Sequence, residues 1–265
     1  MGIAAETAED WHAALAALAW QLDCGADEAI GDAPVNRYEL AAEPRKPLAA
    51  NAVLPETPAL PADDPVAAAR GAAAAAGSLD ALRAAIAAYP YCELRKGARN
   101  TVFADGNPQA RVLILGEAPG AEEDREGRPF VGRAGQLLDR MFAAIGLSRG
   151  SPDGEAALYI TNVLPWRPPG NRDPEPAEIA MMLPFVERHI ALVDPQVIVA
   201  VGNTPLFALT GARGILRARG NWTEALGRPL LPMTHPAYLL RNPSAKREAW
   251  ADLLSLQERL RSLRG

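Results

Sequence analysis

The chain has 265 residues, 49% of them apolar, and a formal net charge of −5. That is enough apolar material for one full core with appendages, and no apolar run approaches the ~20 residues of a membrane-spanning helix. Two distant cysteines, Cys24 and Cys92, form neither a disulfide framework nor a metal site of their own, which fits a reducing, cytoplasmic setting.

The charge is unevenly distributed. Residues 1–76 carry 4 basic and 12 acidic side chains, whereas residues 185–265 carry 11 basic and 6 acidic. An acidic N-terminal stretch therefore precedes a mildly basic C-terminal third, a bias too small to be a basic tail.

In chain order, residues 6–23 read as an amphipathic helix, broken by the Gly and Pro of "GDAPVNRYEL". Residues 41–76 are rich in Ala and Pro and read as an extended linker. The organisation expected is a helical segment over 1–40, a linker over 41–76 and an α/β domain over 77–265. Ser78 and Asp80 cap a helix running to about residue 88. "RVLILGEAP" is a continuous apolar strand, followed by a helix over 134–145. "ALYITNVLP" is a second strand, 175–191 a helix with Pro near its start, and "QVIVAVG" a third strand with a short helix after Asn203. "RPLLPMTHP" is a fourth strand and 244–261 a final helix. Strands without polar alternation, separated by helices, indicate an α/β fold of three layers, αβα, around a parallel sheet. Ligands of such sheets sit beyond the carboxyl ends of the strands, where Glu117, Asn162 and His235 stand.

Each of these residues is ambiguous alone. The run Glu117, Glu122, Glu123, Asp124, Glu126 suits a metal, a polar small molecule or a solvated loop. The Gly-rich turn lacks G-x-G-x-x-G, and its carboxylates would repel a pyrophosphate. Asn162 serves a loop backbone as readily as a ligand, and an isolated His235 before proline is more often structural.

Together and in this order the motifs are more specific. GEAPG at 116–120, GRPFVG at 127–132, YITNV at 159–163, RPPGNRDPEPAEI at 167–179 and HPAYLLRNPS at 235–244 resemble the uracil-DNA glycosylases, in particular the bacterial and archaeal family 4 type, over about residues 89–247. The resemblance implies a central four-stranded parallel sheet between helices. It gives Phe130 the role of stacking on a flipped uracil, and Glu123 that of crowding the C5 carbon to exclude thymine. Asn162 would contact O4 and N3, and His235 would donate a hydrogen bond to O2. Glu117 would lie beside the sugar, a candidate water-activating base, because Ala118 stands where other glycosylase families carry an Asp. Leu239 or Leu240 would wedge into the gap left by the flipped base. Arg241, Asn242 and Ser244, with Arg167 and Arg172, would hold phosphates. The expected protein is a monomeric, monofunctional glycosylase that acts on uracil-containing DNA, starts base excision repair in the cytoplasm at the nucleoid, and contacts no membrane. The acidic N-terminal segment would then be free to dock a protein partner. The alternative is a module that binds uracil or abasic sites without turnover.

One departure accompanies the match. Family 4 enzymes carry four cysteines that ligate a [4Fe–4S] cluster, and the motifs place Tyr89, Cys92, Trp166 and Met182 at those positions. With one thiolate of four, no metal and no cofactor are expected. Tyr89, Trp166 and Met182 would instead fill the space by apolar packing.

Overall fold

The computed structural model describes residues 64–263, together with Leu15. The expected helix over 6–23 otherwise lies outside the described residues, as do residues 41–63 of the expected linker.

The four apolar runs become four parallel strands: β2 (Val112–Gly116), β3 (Leu158–Asn162), β4 (Val197–Val201) and β6 (Arg228–Met233). Two short edge strands, β1 (Ala104–Gly106) and β5 (Thr223–Ala225), pair antiparallel with β3 and β6. Among the described residues the sheet thus has six strands in the order β1-β3-β2-β4-β6-β5. Neither edge strand is legible in the sequence, because "ADG" and "TEA" are three residues long and polar.

Every residue of β2, β3 and β4 is buried. Alternate side chains feed two separate cores, as a sheet covered on both faces requires. Leu113, Leu115, Tyr159, Ile198 and Ala200 face one core, formed with α1 (Pro65–Ala75), α2 (Leu79–Ala88) and α6 (Pro176–Val193). Val112, Ile114, Leu158, Ile160, Val197 and Val199 face the other, under α5 (Arg133–Ala143) and α10 (Lys246–Ser262). The shorter helices α3 (Leu94–Gly97), α4 (Ala121–Glu126), α7 (Asn203–Thr210), α8 (Ile215–Ala218) and α9 (Pro236–Arg241) lie in the connections. The Ser78 cap is made as expected: its hydroxyl accepts from the N–H of Ala81 at 3.2 Å, and the helix ends at Ala88.

The linker reading fails over its last dozen residues. Asp64 caps α1 by accepting from the N–H of Val66 at 2.9 Å, and Pro65 occupies the first turn, where a missing N–H costs nothing. Ala69 and Ala73 are buried on the core under α6. The Ala run that read as low complexity is thus a packing face: small side chains let α1 approach α6 closely. Tyr89 donates its hydroxyl to the carbonyl of Pro65 at 2.6 Å, and Arg188 of α6 donates to the carbonyl of Ala76 at 2.8 Å.

A chain that begins at residue 64 should therefore keep its fold. Removing α1 as well, with a start at residue 77, exposes this apolar face and strands two hydrogen-bonding groups. That should cost roughly 2–4 kcal/mol and lower Tm by about 5–10 °C. Equal thermal midpoints for the two truncations would contradict this packing of α1 on α6.

Candidate functional site

The parallel register places the strand ends level with one another. Gly116 of β2 is paired with Asn162 of β3, and Val201 of β4 with Met233 of β6. The chain beyond these residues lines a cleft of about 860 Å³. Glu117, Ala118, Glu123, Phe130, Asn162, Arg172, His235 and Arg241, all expected from the sequence, line it.

Phe130 forms one wall under unusual backbone constraint. It holds a left-handed φ of 54°, uncommon for a bulky residue. Its ring lies where a side chain at Gly116 would be: a Cβ there would stand 2.5 Å from the ring and 2.3 Å from Asn162 Oδ1. Its carbonyl fits only because Gly135 also lacks a side chain, since a Cβ at that position would come within 1.8 Å of the oxygen. Arg149 closes the frame by donating to the carbonyls of Pro129 and Phe130 at 2.8 and 2.9 Å while paired with Asp105 and Asp139. Nothing in the sequence around Arg149 announces this role.

Opposite the ring stands His235, with ring centroids 5.6 Å apart and planes tilted by 31°. Pro236 has no N–H, so the first free donor of α9 is Ala237, whose N–H donates to His235 Nδ1 at 3.2 Å. Nδ1 is therefore the acceptor, and the proton of the neutral ring sits on Nε2. Burial pushes the imidazole pKa down to about 4; Arg241 pushes in the same direction and Glu123 against it. The ring is thus a neutral N–H donor at physiological pH.

Asn162 is 7% exposed, and its Oδ1 is buried with no hydrogen-bond partner. A buried orphan acceptor on a cleft floor is costly unless a ligand satisfies it. Thr234, also lining the cleft, has a hydroxyl in the same condition. Glu117 accepts from the hydroxyl of Thr204 at 2.6 Å. Burial raises its carboxyl pKa and Asp173 adds to this, while the Thr204 bond works in the opposite direction. Thr204, in the first turn of α7, and Thr234, just past β6, escaped the sequence reading because a lone threonine carries no signal.

Several expectations change. Glu123 lines the cleft, but both its oxygens are engaged by main-chain donors: Gly120 at 3.1 Å, and Val131 and Gly132 at 2.9 Å each. It braces the loop that carries Phe130. Leu239 is fully buried against Leu137 and Ala249, because α9 turns it inward, and it is not placed to act as a wedge. Leu240 is half-buried on the same small core. Arg172 is clamped by both oxygens of Glu178 at 3.0 and 2.6 Å, so its guanidinium is not free for phosphate. Arg167 donates to Asn171 at 2.7 Å. Asn242 donates to the carbonyl of Tyr238 at 3.2 Å, and Ser244 is exposed in the following turn.

Tyr89, Cys92, Trp166 and Met182 are all buried and belong to one continuous apolar core. The Tyr89 ring packs edge-on to Phe185 at 5.3 Å, and Trp166 donates to Thr101 at 3.1 Å. Burial raises the Cys92 thiol pKa and so keeps it protonated. This donor set does not fit a four-thiolate cluster, and no group of three or more His, Cys, Asp or Glu among the described residues is arranged to hold a metal ion.

A flat ring, an amide with an unused acceptor and a neutral imidazole N–H, converging where parallel strands end, make a receptor for a planar heterocycle bearing amide groups. Comparison with known proteins agrees with that class. The model of the uracil DNA glycosylase superfamily matches residues 103–254. A type-4 uracil-DNA glycosylase of Thermotoga maritima is 43% identical over 156 residues, 58% of this chain and 78% of that protein. One from Archaeoglobus fulgidus is 37% identical over 192 residues, covering 68% and 92%. A type-5 uracil-DNA glycosylase of Thermus thermophilus is 33% identical over 134 residues, covering 47% and 61%. The chain belongs to the uracil-DNA glycosylase superfamily, and the type-4 relatives place it with family 4.

The buried His189 and the half-buried His235 fix a pH dependence. His189, whose Nε2 lies 2.8 Å from the Tyr159 hydroxyl, is pushed down to about 3 by burial. Both rings take up a proton more readily unfolded, at an ordinary value of 6.5, than folded. Their contribution to stability is therefore complete above about pH 6.5 and is lost as pH falls through 6.5 towards 4 and 3. In nitrogen-15 spectra at pH 6, His235 should be neutral with its proton on Nε2. An imidazolium signal at that pH would refute the neutral donor.

Proposed function

We propose that the protein is a monofunctional uracil-DNA glycosylase that hydrolyses the N-glycosidic bond of a flipped deoxyuridine and so starts base excision repair. The observation that carries this reading is the orphaned Asn162 Oδ1 on the cleft floor between Phe130 and His235. Uracil presents an N3–H to that oxygen and an O4 to the amide NH₂. Cytosine would present an acceptor to the oxygen and a donor to the NH₂, leaving buried groups unpaired, a mismatch that such sites reject strongly. Phe130 supplies the face on which the base stacks.

As the bond breaks, the base leaves as an anion and the sugar becomes cationic. His235 Nε2–H donates to O2, where negative charge gathers, and its low pKa keeps it a donor that gives up no full proton. Glu117, beside the sugar, is the anion for the developing cation and the candidate to orient water; its bond to Thr204 fixes the carboxylate. Glu123 sets the loop from Gly120 to Gly132 and so narrows the pocket on the side where a 5-methyl group would enter. Arg241, on the cleft rim, contacts phosphate.

Uracil release from DNA with uracil opposite guanine, opposite adenine and in a single strand tests this reading and separates it from a module that binds without turnover. His235→Ala and Asn162→Ala should each slow single-turnover excision by about 100-fold or more, with DNA affinity little changed. Native rates in both would remove the mechanism. The backbone should remain uncut until heat or base is added, because no lysine stands in the motifs to form a Schiff base.

The four residues at the cluster positions function as packing. Burial of Trp166 and Met182 contributes roughly 1.5–3 kcal/mol each and holds the segment that follows Asn162, aided by the Val102 N–H donating to the carbonyl of Pro165 at 2.8 Å. Protein purified anaerobically should be colourless and hold no stoichiometric iron. Four irons per chain, with visible absorption, would overturn this.

A further inference from the structure

Among the described residues, Leu216 is the large apolar side chain that is both strongly exposed, at 55%, and part of the cleft lining. It belongs to α8 in the connection from β4 to β5, whereas the loop expected to probe DNA follows β6. That loop offers little apolar surface, since Leu239 is buried and Leu240 half-buried.

The segment around Leu216 is held firmly. Asn203, the first residue of α7, accepts from the N–H groups of Gly214 and Ile215 at 3.2 and 2.8 Å. Ile215 is buried in the core. Arg219 closes the far side by donating to Asp252 at 2.9 Å and to the carbonyl of Glu248 at 2.8 Å, both on α10. Leu216 is thereby presented to solvent from a braced turn, so exposing it is not a matter of a loose loop. Its neighbours Arg213 and Arg217 are exposed too. The guanidinium of Arg213 lies 4.2 Å over the Phe207 ring, also in the cleft lining, and is paired with no carboxylate among the described residues.

We propose that Leu216 is a DNA-probing wedge, with Arg213 and Arg217 on the phosphates beside it. An exposed leucine between two cations on the rim of a base-binding cleft suits a strand whose bases have been parted: the side chain covers the base face left unstacked, and the arginines neutralise the flanking backbone. Charge and chemistry both match DNA, and the surface is continuous with the cleft that holds Asn162 and His235. The inference rests on the reading of that cleft as the seat of a flipped uracil.

The test uses fluorescence anisotropy with two duplexes, one carrying the uncleavable 2′-fluoro-2′-deoxyuridine and one thymidine in its place. Leu216→Ala should weaken binding of the uracil duplex about tenfold and leave the thymidine duplex unaffected, because only a flipped base opens the gap. Leu216→Met should restore affinity to within about twofold, and Leu216→Gln, of similar length but polar, should not. Arg213→Gln and Arg217→Gln should weaken both duplexes and each reduce the slope of log K against log salt by about 1. A uracil preference that survives Leu216→Ala, or equal losses on the two duplexes, overturns the wedge alone. A native chain that shows no uracil preference overturns the wedge and the glycosylase reading together. Binding with preference but without uracil release overturns only the turnover.

Discussion

Gly116 and Asn162 stand side by side in the parallel register of β2 and β3, and the space that a side chain would fill at Gly116 is filled by the ring of Phe130. This close approach is the constraint on which the cleft depends. It sets the ring against the amide and obliges the loop from Gly120 to Gly132 to arrive in one conformation. The strained backbone of Phe130 and the missing Cβ of Gly135 follow from it. A backbone held at φ of 54° costs energy unless its surroundings over-determine it. Arg149 and Glu123 do so, by binding the carbonyls and N–H groups of the loop.

A second consequence of the sheet is electrical. Glu117 and His235 are both desolvated, and desolvation disfavours charge on each. His235 is held neutral and Glu117 is made a weaker acid, with Thr204 restoring part of its carboxylate character. In the reaction proposed above, charge appears only as the bond breaks, and groups held in place beforehand act most strongly there.

The inner sheet was readable because four apolar runs lack polar alternation, and only strands buried on both faces have that composition. Phe130, Asn162 and His235 were readable through the motifs at the strand ends. The edges were not, since "ADG" and "TEA" pair by main chain alone. Helix α1 was hidden because Ala and Pro belong equally to linkers and to close-packed helices, and only the partner face on α6 distinguishes them. Leu239 misled because one residue around a helix turns a side chain from solvent to core, a rotation that a loop-like motif does not reveal. Arg172 misled because its carboxylate partner, Glu178, was visible in sequence only as the start of a helix.

The hydrogen bond from the Ala237 N–H to His235 Nδ1 makes the tautomer a property of the backbone. In many enzymes a neighbouring carboxylate chooses the tautomer of a histidine, and one substitution of that carboxylate undoes the choice. In this cleft the choosing group is a peptide N–H, which every amino acid but proline provides. A change of side chain at 237 therefore leaves the donor to the imidazole in place. The tautomer thus depends on the path of the main chain through Pro236, and not on any particular neighbouring side chain.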